Sequence, residues 1–144
     1  MYIKFWGTRG SIPAPGSNTV KYGGNTSCIE VRTNDLLIIL DAGTGIRELG
    51  NHLIEEFKEK SITGHIFISH THWDHIQGFP FFIPAYQEKN KFIIYGPKET
   101  EIGMENLIKK QMEKDFFPVP FSTLKANIKF VELKEDILLD KTKI

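Results

Sequence analysis

The chain of 144 residues contains a single cysteine, Cys28. No internal disulfide is possible, which excludes a disulfide-stapled secreted module. Cys28 reads as a small core or strand residue rather than a nucleophile. No stretch reaches the roughly 18 consecutive apolar residues of a membrane span. The opening "MYIKFWGTRGSIP" lacks the apolar run of a signal peptide. These absences predict a protein of the reducing cytoplasm with no membrane contact. Charge bias is also missing. Lys plus Arg and Asp plus Glu number 18 each, so the formal net charge is zero. That gives no electrostatic reason to expect a nucleic-acid binder, although a local basic patch stays open. No repeat, low-complexity tract or linker interrupts the chain. At 40% hydrophobic and 25% charged residues it fits one globular domain over residues 1–144. The last absence is histidine: of five in the chain, none follows His75.

Short apolar runs alternate with two helical patterns. "YIKFW" (Tyr2 to Trp6) reads as a strand. "GTRGSIPAPGSN" and "YGGNTS" read as loops. "CIEVRT" alternates, with Ile29 and Val31 on one face. "DLLIILD" (Asp35 to Asp41) is continuously apolar, as for a strand buried on both sides. The turn-like Thr33-Asn34-Asp35 between them predicts a hairpin. Ile46, Leu49, Leu53, Ile54 and Phe57 then fall at helical spacing, with Thr44 as the expected N-cap. "GHIFISH" and "KFIIYG" read as buried strands. A helix is expected from Glu99 to about Phe116, with Ile102, Leu107, Ile108 and Met112 as its stripe, ended by Pro118 and Pro120. "NIKFVEL" and "ILLDKTKI" read as final strands. The class is α/β or α+β around a buried sheet.

What is present is concentrated in "SHTHWDHIQG" (Ser69 to Gly78), which holds three histidines and an aspartate within six residues. Imidazole and carboxylate are the usual donors to zinc and similar divalent ions. His70 and His72 are two apart, so in an extended segment they share a side. Asp74 and His75 follow where the chain turns. Two pairs of donors in different directions suit two metals better than one closed tetrahedral site. An exposed polar loop that happens to be rich in histidine is the bland alternative. Four ligand-type residues seldom crowd the end of an apolar strand by accident. His52 and His65 lie outside the cluster and read as ordinary surface or partly buried residues.

His70-Thr71-His72-Trp73-Asp74-His75 resembles the HxHxDH signature of the metallo-β-lactamase superfamily, and Gly78 matches a glycine that often follows it. "LLIILDAGTG" resembles the family's earlier strand-and-turn motif, ending in Asp41. "GTRGSIP" with "YGGNTSC" resembles the opening of the phosphodiesterase and ribonuclease Z-like branch. The resemblance implies a four-layer αββα sandwich, with mixed sheets covered by helices. It implies two divalent ions, zinc foremost and manganese or iron as alternatives. His70 and His72 would hold the first, Asp74 and His75 the second. Asp74 would also serve catalysis by handling the proton of a metal-activated water, and Asp41 would support the site from behind. Arg9, Ser11 and Asn25 would approach the site or brace its loops, although turn chemistry alone is the preferred account of them. Trp73 is expected to wall the metal site rather than stack on substrate. "FPFFIPAY" (Phe79 to Tyr86) reads equally as pocket lining, as core, or as part of a face awaiting a partner.

In the family the remaining ligands, two histidines and a bridging aspartate, come from a second half. Here only Asp115, Asp136 and Asp140 remain after the cluster, in no matching motif. The chain therefore resembles the N-terminal half of the sandwich, truncated before the C-terminal half. A half sandwich leaves one apolar sheet face without its partner. A homodimer or a separate C-terminal half would cover it, and self-association of the fragment is the favoured expectation. The function implied is hydrolysis of a small-molecule or nucleotide phosphodiester. The alternatives are a thioester, lactone or β-lactam hydrolase on the same scaffold, or an inactive half-domain that binds metal incompletely.

Overall fold

The structure, a computed structural model, describes residues 1–33, 36–97, 102–133 and 139. Its six strands are β1 (Tyr2–Gly7), β2 (Cys28–Thr33), β3 (Leu36–Leu40), β4 (Thr63–Phe67), β5 (Lys91–Pro97) and β6 (Asn127–Leu133). They form one mixed sheet in sequence order. The first three pair antiparallel, and Thr33 opposite Leu36 makes the β2–β3 hairpin that the turn residues predict. From β3 onward every pairing is parallel.

Parallel neighbours need crossovers. Helix α1 (Gly45–Phe57) supplies the first. The histidine stretch supplies the second, with a one-turn helix α2 (Trp73–Ile76) and two 3₁₀ turns at Phe79–Phe81 and Ile83–Tyr86. Helix α3 (Met104–Gln111) lies in the third. Among the described residues no helix is long and apolar enough to cross a membrane.

One sheet face carries the core. Leu37, Ile39, Ile66, Phe92 and Ile94 pack with Ile46, Leu49 and Leu53 of α1, and with Phe79, Phe82, Met104 and Ile108. "FPFFIPAY" is thus mainly core: Phe79, Phe82 and Ala85 are buried, Tyr86 is half-buried, and Phe81 and Ile83 are exposed. Thr44 occupies the N-cap position, but its hydroxyl makes no cap bond. It accepts from the Thr26 backbone N–H at 2.9 Å, while Thr26 Oγ1 accepts from the Thr44 N–H at 2.8 Å. The expected cap is therefore a loop clasp. The second helix is shorter than its periodicity predicts. Gly103, at φ 78°, breaks the chain ahead of it. Its buried stripe is Met104, Ile108 and Met112 rather than one including Ile102 and Leu107. Residue 99, and the "ILLDKTKI" segment with Asp136 and Asp140 (residue 139 aside), lie outside the described residues. Asp115 is described and exposed.

The opposite sheet face is also apolar, and no helix covers it among the described residues. The register aligns Ile3, Val31, Ile38, His65 and Ile93 in one row across the strands. A second row runs Phe5, Ile29, Leu40, Phe67, Tyr95 and Val131. Phe5 is 62% exposed and Ile3 54%. This corrects the expectation for β3: Leu37 and Ile39 are buried on the core side, but Leu40 on the other face is exposed. His65 sits in the middle of this face and is buried. Its Nδ1 lies 3.0 Å from the Tyr95 hydroxyl, and its Nε2 has no partner among the described residues.

Candidate metal centre

Strands β3 and β4 are parallel, so their C-terminal ends lie side by side. Ligand sites in open α/β sheets favour such ends. Asp41 leaves the end of β3, and Ser69, His70 and His72 leave the end of β4. The Asp41 backbone N–H donates to the Phe67 carbonyl at 2.8 Å, and the Ala42 N–H to the His75 carbonyl at 2.8 Å. The histidine turn is thereby stitched to the turn after β3. Gly78 makes this close approach possible. Its N–H donates to the Ala42 carbonyl at 2.9 Å, and a Cβ on Gly78 would collide with the Gly43 carbonyl.

Asp41 organises the cluster. Its φ of 63° is unusual for a residue other than glycine. In that conformation its carboxylate accepts four hydrogen bonds. Oδ1 takes the Ser69 backbone N–H and hydroxyl, each at 2.8 Å. Oδ2 takes the Ser27 hydroxyl at 2.9 Å and His75 Nδ1 at 2.7 Å. With its proton donated to Asp41, the Ser69 hydroxyl can only accept from His70 Nδ1, 3.1 Å away. The carboxylate thus places the proton on Nδ1 of His75 directly and on Nδ1 of His70 through Ser69. Both Nε2 lone pairs are left free, the arrangement that second-layer carboxylates impose on metal-binding imidazoles. Ser27 and Ser69 were not singled out from the sequence. The signal available was only a serine directly before the first histidine.

The His70 ring centroid lies 4.6 Å from that of His72 and 4.0 Å from that of His75. His75 Nε2 is 3.4 Å from Asp74 Oδ2. The same Asp74 oxygen accepts the Ser11 backbone N–H at 2.8 Å. That bond, foremost, holds the Asp74 carboxyl below its ordinary range; partial desolvation opposes it and the imidazoles of His75 and His70 reinforce it. Three imidazoles and an ionised carboxylate in this compass fit a divalent cation by donor chemistry. They do not close around one. Among the described residues no three His, Cys, Asp or Glu side chains form a ready-made cage.

The loop residues are placed as follows. Asn25 stays away from the four donors: its carbonyl accepts from Thr8 and Arg9, and its Oδ1 accepts from Thr44. Ser11, at φ 71°, reaches the cluster through its backbone N–H. Arg9 Nε donates to the Ile12 carbonyl at 2.8 Å within the same loop. Trp73, between His72 and Asp74 in the chain, stands largely in solvent. The α2 turn buries Ile76 and leaves Trp73 77% exposed.

A mixed α/β sheet with a histidine–aspartate cluster at the ends of two parallel strands defines the class of scaffold. The family model of the metallo-beta-lactamase superfamily matches residues 22–138, and the chain belongs to that superfamily. It is 31% identical over 96% of its length to a ribonuclease Z of Lactobacillus johnsonii, covering 41% of that protein. It is 28% identical over 90% of its length to a ribonuclease Z of Pyrococcus horikoshii, again covering 41%. The chain therefore spans about two fifths of the length of the curated relatives it matches. A crystal structure of a Thermotoga maritima protein of metallo-beta-lactamase type aligns over 94% of this chain and 61% of its own, at 19% identity and a TM-score of 0.47.

Proposed function

We propose that residues 1–144 form one domain that supplies the first half of a metal-dependent phosphodiester hydrolase acting on nucleic acid or a nucleotide. One observation carries this reading: Asp41 and Ser69 engage the Nδ1 atoms of His75 and His70, and His75 Nε2 lies 3.4 Å from Asp74 Oδ2. His70 and His72 would hold one divalent ion, and Asp74 and His75 a second. Zinc is the first choice, with manganese or iron as alternatives. Bound there, the ions would lower the pKa of water and stabilise charge on a phosphoryl oxygen. The ribonuclease Z relatives favour a phosphodiester over a thioester, lactone or β-lactam. In this reading Asp74, ionised at neutral pH, is the group placed to hold a proton beside the reacting centre. The buried, lone Cys28 fits a reducing cytoplasm.

The donors do not close into a cage, and one sheet face is open. Both features support completion of the site by a second copy or by a separate C-terminal half, as proposed partners. The competing reading, an inactive half-domain, is favoured by the same missing cage. Native mass spectrometry with zinc or manganese, followed by hydrolysis of bis(p-nitrophenyl) phosphate, separates them. Metal-loaded protein with turnover that His72→Ala abolishes supports the hydrolase. Folded protein that takes up no metal and turns over nothing supports the inactive half.

A further inference from the structure

The loop carrying Arg9 and the turn carrying Trp73 meet at one point, the 2.8 Å bond from the Ser11 N–H to Asp74 Oδ2. Arg9 stands two residues before Ser11, and Trp73 directly before Asp74. Trp73 lies between two of the proposed metal donors in the chain and is 77% exposed. The Trp73 indole makes no hydrogen bond to a described residue, whereas the other tryptophan, Trp6, donates its indole N–H to the buried Glu30 at 2.9 Å. Arg9 is anchored through Nε to the Ile12 carbonyl. The two terminal nitrogens of its guanidinium make no hydrogen bond to any described residue. A guanidinium fork held by one edge and open at the other matches phosphate geometry.

We propose that Arg9 and Trp73 form a nucleotide-recognition rim. Arg9 takes a phosphate and Trp73 stacks on the adjacent base, both beside the histidine cluster. Stacking on an aromatic is tolerant of sequence because every base offers a π-face. The proposal rests on the phosphodiester reading of the cluster and assigns the residues that would recognise the phosphate and its neighbouring base. It adds positioning and specificity residues that small aryl phosphodiesters would not need.

The test is tryptophan fluorescence of the 144-residue chain titrated with oligoadenylate, and separately with adenosine monophosphate, in the absence of metal. Quenching is expected. In Trp73→Ala it disappears, and direct binding weakens by about tenfold or more, the usual scale for losing one stacked base. In Arg9→Ala the quench persists but needs more ligand, and its salt dependence is shallower. Response to both ligands, or to the oligonucleotide alone, supports the rim and tells a mononucleotide ligand from a strand. No quench in folded protein, or a quench that survives Trp73→Ala, overturns the proposal. Because turnover is not the readout, bis(p-nitrophenyl) phosphate hydrolysis that persists alongside a null titration would sink the rim alone.

Discussion

Asp41 Oδ2 lies 2.7 Å from Nδ1 of His75, although the two residues are 34 positions apart and the aspartate adopts a left-handed backbone to make the contact. That bond and its counterpart through Ser69 leave the histidines in the tautomer that donates through Nε2. Replacing Asp41 by Ala releases both rings. Metal affinity is expected to fall by about 10–100-fold, the range seen when second-layer partners of metal-binding histidines are removed. Competition with a chromophoric chelator measures it. Unchanged affinity would mean that the rings are held by something other than the carboxylate.

Gly78 bears on the same junction from behind. A methyl group there meets the Gly43 carbonyl and, at 2.9 Å, Ile46 Cγ2. Neither can move far, since Ile46 is fully buried. Gly78→Ala is expected to cost about 1–3 kcal/mol by overpacking and to loosen metal binding, since the displaced turn carries His75. Urea unfolding gives the first quantity. A stability equal to wild type would show that the two turns are not in rigid contact.

The open sheet face makes a separate prediction. Phe5 and Ile3 stand on it at 62% and 54% exposure, in line with rows of Ile, Val, Leu and Tyr. If two copies pair through this face, the wild-type chain sediments as a dimer. Phe5→Asp, which places a charge in the contact, then shifts it to monomer without loss of helical circular dichroism. A wild-type monomer, or a dimer indifferent to Phe5→Asp, would rule out this mode of pairing.

How far these features could be read from the sequence depended on their range. Strand positions and α1 followed from local periodicity, because burial on one face repeats every two or 3.6 residues. The cluster of His70, His72, Asp74 and His75 was legible because its members are close together in the chain. Ser69 and Ser27 were not, because their roles arise only when β3 and β4 lie side by side. The exposure of Trp73 was not legible either, because sequence spacing does not say which side of a one-turn helix meets solvent. The half-exposed β3 shows the same limit. A continuous apolar run reports two faces that prefer burial, not whether a second layer covers both.

Buried Cys28 is expected to be inert. Burial, with Asp41 and Glu30 adding like charge, pushes its thiol far above the ordinary value, and it has no exposed surface. Ellman's reagent should therefore label it only in denaturant. Rapid labelling of native protein would mean that β1 peels readily from the sheet edge and uncovers β2.

Acid should destabilise the fold in two windows. Burial lowers the pKa of His65, so the native state binds fewer protons there than the unfolded chain. Stability is then full above the ordinary histidine value of about 6.5 and declines as pH falls below it. Glu30 is fully buried, and desolvation raises its pKa. Hydrogen bonds from Trp6, Arg32 and Tyr2, with the Arg32 charge, outweigh this and leave it lowered. Its contribution is present above the ordinary glutamate value of about 4.3 and is lost as pH falls further. Urea midpoints measured against pH should show both declines. His65→Phe should flatten the first and Glu30→Gln the second. A His65→Phe profile that still falls between pH 6.5 and 5 would place the titrating group elsewhere, and the cluster histidines could then be tested by repeating the series with zinc.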